Sequence, residues 1–311
     1  MGEAKGSSTK SKKGLIACAA VLLALTLCVN FIPWSGENPW KRVLSAVGLS
    51  DFHGAADSYP MSVHVLDVGK ADAILVACEG KYLLVDGGTY GYGEEVCQYL
   101  SRQGVKELEL VVNTHPDEDH IGGLGEVLRR FPVKEFLSPN LPEGLLPDTP
   151  ECTAVGAAIQ EKRIPVRYPA AGELLSVGTL KIEVLGPVKQ YESLNNSSLV
   201  LRLTYGETSF LLMGDAEKEA ELDLAASGKS LKSDVLKVGH HGSKTSTTRE
   251  LLDAVQPEYA VISVGPDRNN LPKQEVLERL RSAGAELYRT DIGGPVLFIS
   301  DGTRVTPLTE P

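Results

Sequence analysis

The feature that most constrains this chain is a cluster of ionisable side chains placed directly after an apolar strand. The strand reads LELVVN, and the cluster that follows it reads THPDEDH. Within the cluster, His115, Asp117, Asp119 and His120 lie within six residues. Packing these groups together is unfavourable unless a cation compensates for their charge. Because imidazole nitrogens and carboxylate oxygens together suit Zn²⁺, Mn²⁺ or Fe²⁺, the cluster predicts a metal site.

Three further polar clusters follow predicted strands, where an α/β scaffold presents functional groups on its loops. Asp86 follows KYLLV, Asp215 follows SFLLM, and the pair His240 and His241 follows DVLKV. Each cluster also has a simpler interpretation. THPDEDH could be a solvated acidic turn, Asp86 a plain turn residue, and Asp215 the N-cap of a helix. The presence of four of the six histidines in two of these clusters favours the metal site.

The cysteine content narrows the kinds of metal site that the chain can form, and the net charge narrows the substrates that it can attract. The chain carries a net charge of −10, and its five cysteines form no CxxC pair. This pattern argues against a disulfide framework and against a thiolate zinc site. Residues 1–60 hold 6 basic and 4 acidic side chains, leaving 25 and 37 in the remainder, a net charge of −12 there. Such a body does not attract nucleic acid at long range, so a nuclease would need a local basic groove.

From Met61 onward, apolar runs with strand character alternate with amphipathic runs of helical spacing. Successive strands followed by strand–helix alternation occur twice across residues 61–311. That order predicts two packed sheets with helices outside them, in one α/β body. No repeat typical of a solenoid is present.

The first sixty residues differ from the rest. A basic tail at 1–14 precedes an apolar run at 15–32, and residues 33–60 are predicted to form a tether. Eighteen helical residues reach roughly 27 Å, close to the thickness of a bilayer core, so we expect a single transmembrane signal anchor. The lysines before this run favour a cytoplasmic N-terminus and an extracytoplasmic body. A cleaved signal peptide is the competing interpretation.

Five segments give the chain a family resemblance. They read DVGKADAILV, LLVDGG, NTHPDEDHIGG, LLMGDAE and LKVGHHGSKTS. In this order and spacing they resemble the metallo-β-lactamase superfamily, and most closely the hydrolase domain of ComEC-type competence proteins. The resemblance covers about Met61 to Asp301. It implies an αββα sandwich with two divalent ions, Zn²⁺ or Mn²⁺, at the edge between the sheets.

The resemblance also assigns roles to individual residues. The positions that match metal ligands are His115, Asp117, Asp119, His120, Asp215 and His240, and Asp215 matches the carboxylate that bridges the two ions. Adjacent residues on a strand point to opposite faces, so we expect His240 to be a ligand and His241 to be a catalytic residue that contacts substrate. Asp86 and Asn196 are expected to support the ligands from behind.

Three segments depart from the family pattern, at four positions. Asn196 stands where the superfamily has its middle histidine, as is common in the ComEC-type branch, and this weakens one ligand set. Lys70 and Ala71 replace the Gln and Gly of DVGQGDA. Leu271 stands where that branch carries a histidine, and this change affects substrate contacts rather than the expected ligands.

Metal chemistry then sets the expected function. A water between two divalent ions has its pKa lowered towards about 7, and Asp119 or Asp215 would orient it for hydrolysis. The resemblance favours a phosphodiester substrate, with DNA as the leading candidate, and Ser243 and Lys244 are candidate substrate contacts. A β-lactam or lactone hydrolase, and a non-catalytic metal-binding module, are the alternatives. Protein partners are not predicted.

Overall fold

The computed structural model describes residues 59–142, 144–266 and 268–309. The predicted basic tail at 1–14, the predicted anchor at 15–32 and nearly all of the predicted tether lie outside these residues. Within the described ranges, no helix has the length and apolar character needed to cross a membrane.

The described strands form two sheets. The first has eight strands, in the spatial order β15 (Val305–Pro307), β14 (Val296–Ser300), β1 (Met61–Val65), β2 (Ile74–Cys78), β3 (Lys81–Val85), β4 (Leu110–Val112), β5 (Phe136–Leu137) and β6 (Val166–Arg167). The second has seven, in the order β13 (Glu286–Arg289), β12 (Tyr259–Ile262), β11 (Val235–Lys237), β10 (Thr208–Leu212), β9 (Val200–Tyr205), β8 (Leu180–Gly186) and β7 (Leu174–Val177).

The helices follow the strands in chain order. They are α1 (Gly93–Arg102), α2 (Glu118–Ile121), α3 (Leu124–Arg130), α4 (Pro150–Lys162), α5 (Lys218–Ala226), α6 (Arg249–Val255), α7 (Gln274–Ser282) and α8 (Thr290–Gly293). Short 3₁₀ turns occupy Tyr90–Tyr92, Asn195–Ser197 and Gly239–Gly242.

Side-chain alternation on the strands builds three apolar layers. Met61, Val63 and Val65 of β1 lie in the layer between the sheets, where the rings of Phe210 and Phe298 also pack edge to face. Apolar side chains from α1, α3 and α4 cover the outer face of the first sheet, and those from α5, α6 and α7 cover the second. The predicted αββα arrangement is confirmed.

Strand direction places the candidate residues on loops. β3, β4 and β5 run parallel in the first sheet, as do β10, β11 and β12 in the second. The loops that leave β3, β4, β10 and β11 carry the four predicted polar clusters. Functional groups of α/β folds gather beyond the carboxyl ends of parallel strands.

Candidate metal centre

His120 is held from behind by the loop that follows β3. Its Nδ1 atom lies 2.8 Å from Oδ2 of Asp86, and both side chains are buried. Asp86 also accepts hydrogen bonds from the backbone N–H of Thr114 at 2.7 Å and from its hydroxyl at 2.6 Å. The Asp86 carboxylate therefore braces the beginning and the end of the cluster that follows β4. Asp86, predicted to support the ligands, contacts one of them, His120.

Close backbone approach makes this contact possible. The N–H of Gly87 donates to the carbonyl of His120 at 2.8 Å, and the N–H of Gly123 donates to the carbonyl of Gly88 at 3.1 Å. A Cβ atom on Gly123 would lie 2.1 Å from the Gly87 carbonyl oxygen, so a larger residue would force the loops apart. The glycines of HIGG thus allow Asp86 to reach His120.

The second sheet contributes Asp215, which lies three residues after the end of β10 at Leu212. Its backbone N–H donates to the hydroxyl of Ser198 at 3.1 Å, and its side chain is buried. Oδ1 of Asp215 lies 3.2 Å from Nε2 of His120, and Oδ2 lies 3.6 Å from Nε2 of His241. Residues predicted from separate strand ends therefore meet at the edge between the two sheets.

Of the two adjacent histidines, His241 lies among the converging donor atoms, whereas His240 was the expected ligand. His241 is fully buried, and its Nε2 also lies 3.5 Å from Oδ2 of Asp119. The His240 side chain is 22% exposed, and its Nδ1 lies 3.1 Å from Oε1 of Glu217. The expectation that His240 is the ligand and His241 the substrate contact rested on strand alternation. However, β11 ends at Lys237, and both histidines lie in a turn with left-handed backbone angles, so alternation does not apply.

Four side chains converge on one point. Donor atoms of Asp119, His120, Asp215 and His241 all lie within 4.8 Å of one another. Nε2 of His120, Nε2 of His241 and Oδ1 of Asp215 are buried and have no hydrogen-bond partner. Unsatisfied buried donors and acceptors are costly, so their convergence needs a ligand. Because the set combines imidazole nitrogens with carboxylate oxygens, it fits a divalent ion such as Zn²⁺ or Mn²⁺.

His115 and Asp117 lie beside this group. The imidazole rings of His115 and His120 have centroids 4.2 Å apart, and Nε2 of His115 is also buried without a hydrogen-bond partner. That atom lies 3.5 Å from Oδ2 of Asp117, whose side chain is 38% exposed. These two residues form a second, more open pair of donors next to the first group.

The electrostatics of the cluster match a cation site. Burial lowers the pKa of His120, but the carboxylates of Asp215 and Asp86 outweigh burial and raise that pKa well above its ordinary value. Burial raises the pKa of Asp119, but the imidazoles of His241, 3.5 Å away, and His120 outweigh burial and hold that pKa below its ordinary value. The pKa of Asp215 is likewise lowered, because His241 and His120 outweigh its burial. Both carboxylates are therefore ionised and ready to bind a cation.

Asn196 has a role that the sequence does not reveal. Its side-chain oxygen accepts hydrogen bonds from the backbone N–H of Glu217 at 3.0 Å and from that of Ala220 at 3.4 Å. It thereby holds the start of α5, which begins three residues after Asp215.

The expected substrate contacts lie beyond the histidine pair. Ser243 is half-buried with its hydroxyl 2.9 Å from that of Thr245, and Lys244 is exposed.

A buried ion pair behind the centre was missed by the sequence analysis. Nζ of Lys237 lies 2.8 Å from Oδ2 of Asp72, and both side chains are almost fully buried. Oδ1 of Asp72 lies 3.7 Å from Nδ1 of His241, which also contacts the carbonyl of Ser263 at 2.9 Å. The available signal was a lysine inside the apolar strand DVLKV, since a buried lysine needs an acidic partner.

Lys70 was noted only as a departure from a family pattern. Its ammonium contacts Oδ2 of Asp119, so it lies at the candidate centre itself. This position could not be read from the sequence, because the contact joins the loop after β1 to the loop after β4.

Comparison with known proteins agrees with this geometry. The family model of the metallo-β-lactamase superfamily matches residues 66–265. ComE operon protein 3 of Bacillus subtilis is 34% identical over 256 residues, which cover 76% of this chain and 32% of that protein. Competence protein ComA of Neisseria gonorrhoeae is 32% identical over 288 residues, which cover 91% of this chain and 38% of that protein. The chain thus spans about a third of the length of these relatives.

A solved structure shares the fold. Igni18, a metallo hydrolase from the archaeon Ignicoccus hospitalis, superimposes with a TM-score of 0.50 at 19% identity, covering 77% of this chain and 99% of that one. Together with the family model and the competence-protein relatives, the two sheets and the converging donors confirm the predicted resemblance. The chain belongs to the metallo-β-lactamase superfamily.

Proposed function

We propose that this protein is a metal-dependent phosphodiesterase that acts on DNA. The observation that carries the proposal is the convergence of Asp119, His120, Asp215 and His241, with three of their donor atoms buried and unsatisfied. Family membership supports metal-dependent hydrolysis, and the relatedness to competence proteins supports a substrate connected with DNA handling.

Within this proposal the ligands form two sets. Asp119, His120 and His241 would hold one divalent ion, and His115 and Asp117 would hold the other, with Asp215 as a further ligand. Ions held there supply Lewis acidity, which lowers the pKa of a water and neutralises negative charge on the substrate. Asp86 fixes the ring of His120 by accepting its Nδ1 hydrogen, so that Nε2 faces the centre.

The remaining side chains act on the water and the substrate. Asp119 and Asp215 are ionised, so each can accept a hydrogen bond from the attacking water and orient it. We assign the substrate contact to His240, which is partly exposed beside Asp215 and Glu217, and retain Ser243 and Lys244 as further contacts. His241, expected from the sequence to contact substrate, is assigned to the metal because it is buried.

The cellular setting is also part of the proposal. The apolar run at 15–32 supports a membrane anchor, and the lysines before it support an extracytoplasmic catalytic body. Cleavage would then take place outside the cell membrane, on DNA or another phosphodiester that reaches the surface.

The test is cleavage of single-stranded and double-stranded DNA by the full-length chain loaded with Mn²⁺ or Zn²⁺. Asp119→Asn and Asp215→Asn should abolish cleavage, because each removes a ligand charge and a water acceptor. Glu118→Gln is the matched control, since Glu118 is an exposed carboxylate inside the same motif. Metal-stripped protein provides the blank.

Two results would contradict the proposal. Intact DNA in the presence of stoichiometrically bound metal would exclude the nuclease, and a chromogenic β-lactam turned over in its place would identify the other hydrolase. Cleavage that persists in Asp119→Asn and Asp215→Asn would show that a contaminant is responsible.

A further inference from the structure

Lys70 brings a partly exposed positive charge to the mouth of the candidate centre. Among the described residues, two lysines contact carboxylates of this region: Lys237, whose side chain is fully buried against Asp72, and Lys70, whose side chain is 25% exposed against Asp119. Only a group with access to solvent can meet an incoming substrate. Of these two ammonium groups, Lys70 is therefore the one placed to do so.

Backbone hydrogen bonds fix the position of the loop that carries Lys70. The N–H of Asp72 donates to the carbonyl of Asp119 at 3.0 Å, and the N–H of Gly88 donates to the carbonyl of Asp72 at 2.7 Å. The loop that carries Lys70 is thus bonded directly to the loop that carries the ligands. Its ammonium is held against Asp119 by position as well as by charge.

The same loop also packs closely against Gly265 and Tyr92. A Cβ atom on Gly265 would lie 2.7 Å from Cα of Gly69, and the hydroxyl of Tyr92 lies 3.5 Å from the position that a Cβ of Gly69 would take. Gly69 has a φ of +75°, which permits this tight turn. The loop has little room to move, so the backbone from which the Lys70 side chain extends is fixed beside the centre.

The charge of the whole body favours a local cation beside the site of an anionic substrate. Residues 61–311 carry a net charge of −12, which repels phosphate at long range. An ammonium has three N–H donors and keeps its charge within an ion pair, so a lysine can contact carboxylates and a substrate oxygen together. Such charge-assisted hydrogen bonds are roughly twice as strong as neutral ones.

We propose that Lys70 is a specificity-determining residue that donates a hydrogen bond to a non-bridging oxygen of a phosphoryl group bound at the centre. This inference rests on the proposed function and names the group that selects an anionic phosphoryl substrate over a neutral acyl ester. The resembled motif carries Gln at this position, so Lys70→Gln removes the charge with little change in shape.

The experiment compares two substrates that release the same chromophore from the Mn²⁺-loaded full-length chain. For bis(p-nitrophenyl) phosphate, Lys70→Gln should lower kcat/KM by about 10- to 100-fold, mainly through KM. For p-nitrophenyl acetate, which is neutral, kcat/KM should be unchanged. Lys70→Arg should retain most of the phosphodiesterase activity. Lys106→Gln, at an exposed lysine outside the centre, is the matched control.

A binding measurement separates this inference from the proposed function. Calorimetric titration of the metal-loaded protein with inorganic phosphate should show affinity about tenfold or more weaker in Lys70→Gln than in the unaltered chain, at equal metal content. If the unaltered chain cleaves no phosphodiester, the proposed function fails, and this affinity ratio still decides the role of Lys70. Equal phosphate affinity in both proteins, or a loss of bound metal in Lys70→Gln, would overturn the inference.

Discussion

The Nδ1 atom of His120 lies 2.8 Å from Oδ2 of Asp86, and this contact determines which ring nitrogen can face a metal ion. Oδ2 of Asp86 also accepts a hydrogen bond from the Thr114 hydroxyl, and its acceptor role towards the imidazole assigns the hydrogen to Nδ1. Nε2 then keeps its lone pair when the ring is neutral, and it points towards Asp215 at 3.2 Å. A loop of the first sheet thus sets the protonation of a ligand that faces the second.

Replacement of Asp86 tests this bracing. Asp86→Asn should lower metal affinity about 10- to 100-fold, because the amide no longer accepts strongly from the imidazole. Asn is the suitable replacement, since residue 86 has a φ of +59° and Asn tolerates left-handed backbone. Metal affinity is measured by competition with a chromogenic chelator. Asp253→Asn, at an exposed carboxylate on α6, controls for general charge effects, and equal affinities in the two variants would refute the bracing.

The adjacent histidines provide a second prediction. His241→Ala should lose one equivalent of bound metal, because His241 is buried and faces Asp119 and Asp215. His240→Ala should retain its metal content and lose activity through weaker substrate binding, because His240 is partly exposed and lies against Glu217. Elemental analysis after dialysis distinguishes the two. Metal loss in His240→Ala with full retention in His241→Ala would restore the assignment made from the sequence.

The residues that could be predicted from sequence share one property. Each of Asp86, Asp119 and Asp215 directly follows, or lies a few residues after, an apolar run that becomes a strand, and parallel strands bring such positions to one edge. The order of the histidine pair could not be predicted in this way. It depends on left-handed angles at His240 and His241, which the strand pattern of DVLKV does not encode.

Contacts between distant segments also lay beyond the sequence. Lys70, in the loop after β1, contacts Asp119, in the loop after β4. Asp72, also after β1, contacts Lys237, the last residue of β11. Local periodicity describes each strand but not which segments lie against each other, and both pairs join segments that are distant in sequence. A lysine in an apolar strand predicts that an acidic partner exists, but it does not identify that partner as Asp72.

The raised pKa of His120 predicts how metal binding depends on pH. Asp215 and Asp86 raise this pKa well above its ordinary value, so the metal-free protein holds His120 protonated at neutral pH. Coordination needs the neutral ring, and binding must therefore release a proton. Apparent metal affinity should fall about tenfold for each pH unit lost below this pKa. Asp119 and Asp215 add no dependence there, since their lowered pKa values leave them ionised.

Calorimetry in buffers of different ionisation enthalpy measures the proton released on Zn²⁺ binding. About one proton per ion at neutral pH is expected from His120, and the affinity should keep rising in the interval just above neutral pH. An imidazole with an ordinary pKa would already be neutral in that interval. A flat affinity across it would therefore disprove the raised pKa.

The buried pair of Lys237 and Asp72 yields the last prediction. Lys237→Met should lower the free energy of unfolding by about 3–5 kcal/mol, because it leaves the buried Asp72 carboxylate without its cation. Urea denaturation of the metal-free protein measures this change. Lys181→Met replaces an exposed lysine on β8 and should change stability by no more than about 0.5 kcal/mol.

A double variant separates the contribution of charge to stability from the contribution of packing for Asp72 and Lys237. Asp72→Asn combined with Lys237→Met removes both charges, so its cost should be clearly less than the sum of the two single changes. Because Oδ1 of Asp72 lies 3.7 Å from Nδ1 of His241, Asp72→Asn should also weaken metal binding, which the chelator competition reports separately from stability. Additive stabilities together with unchanged metal affinity would mean that the pair neither acts as a unit nor supports His241.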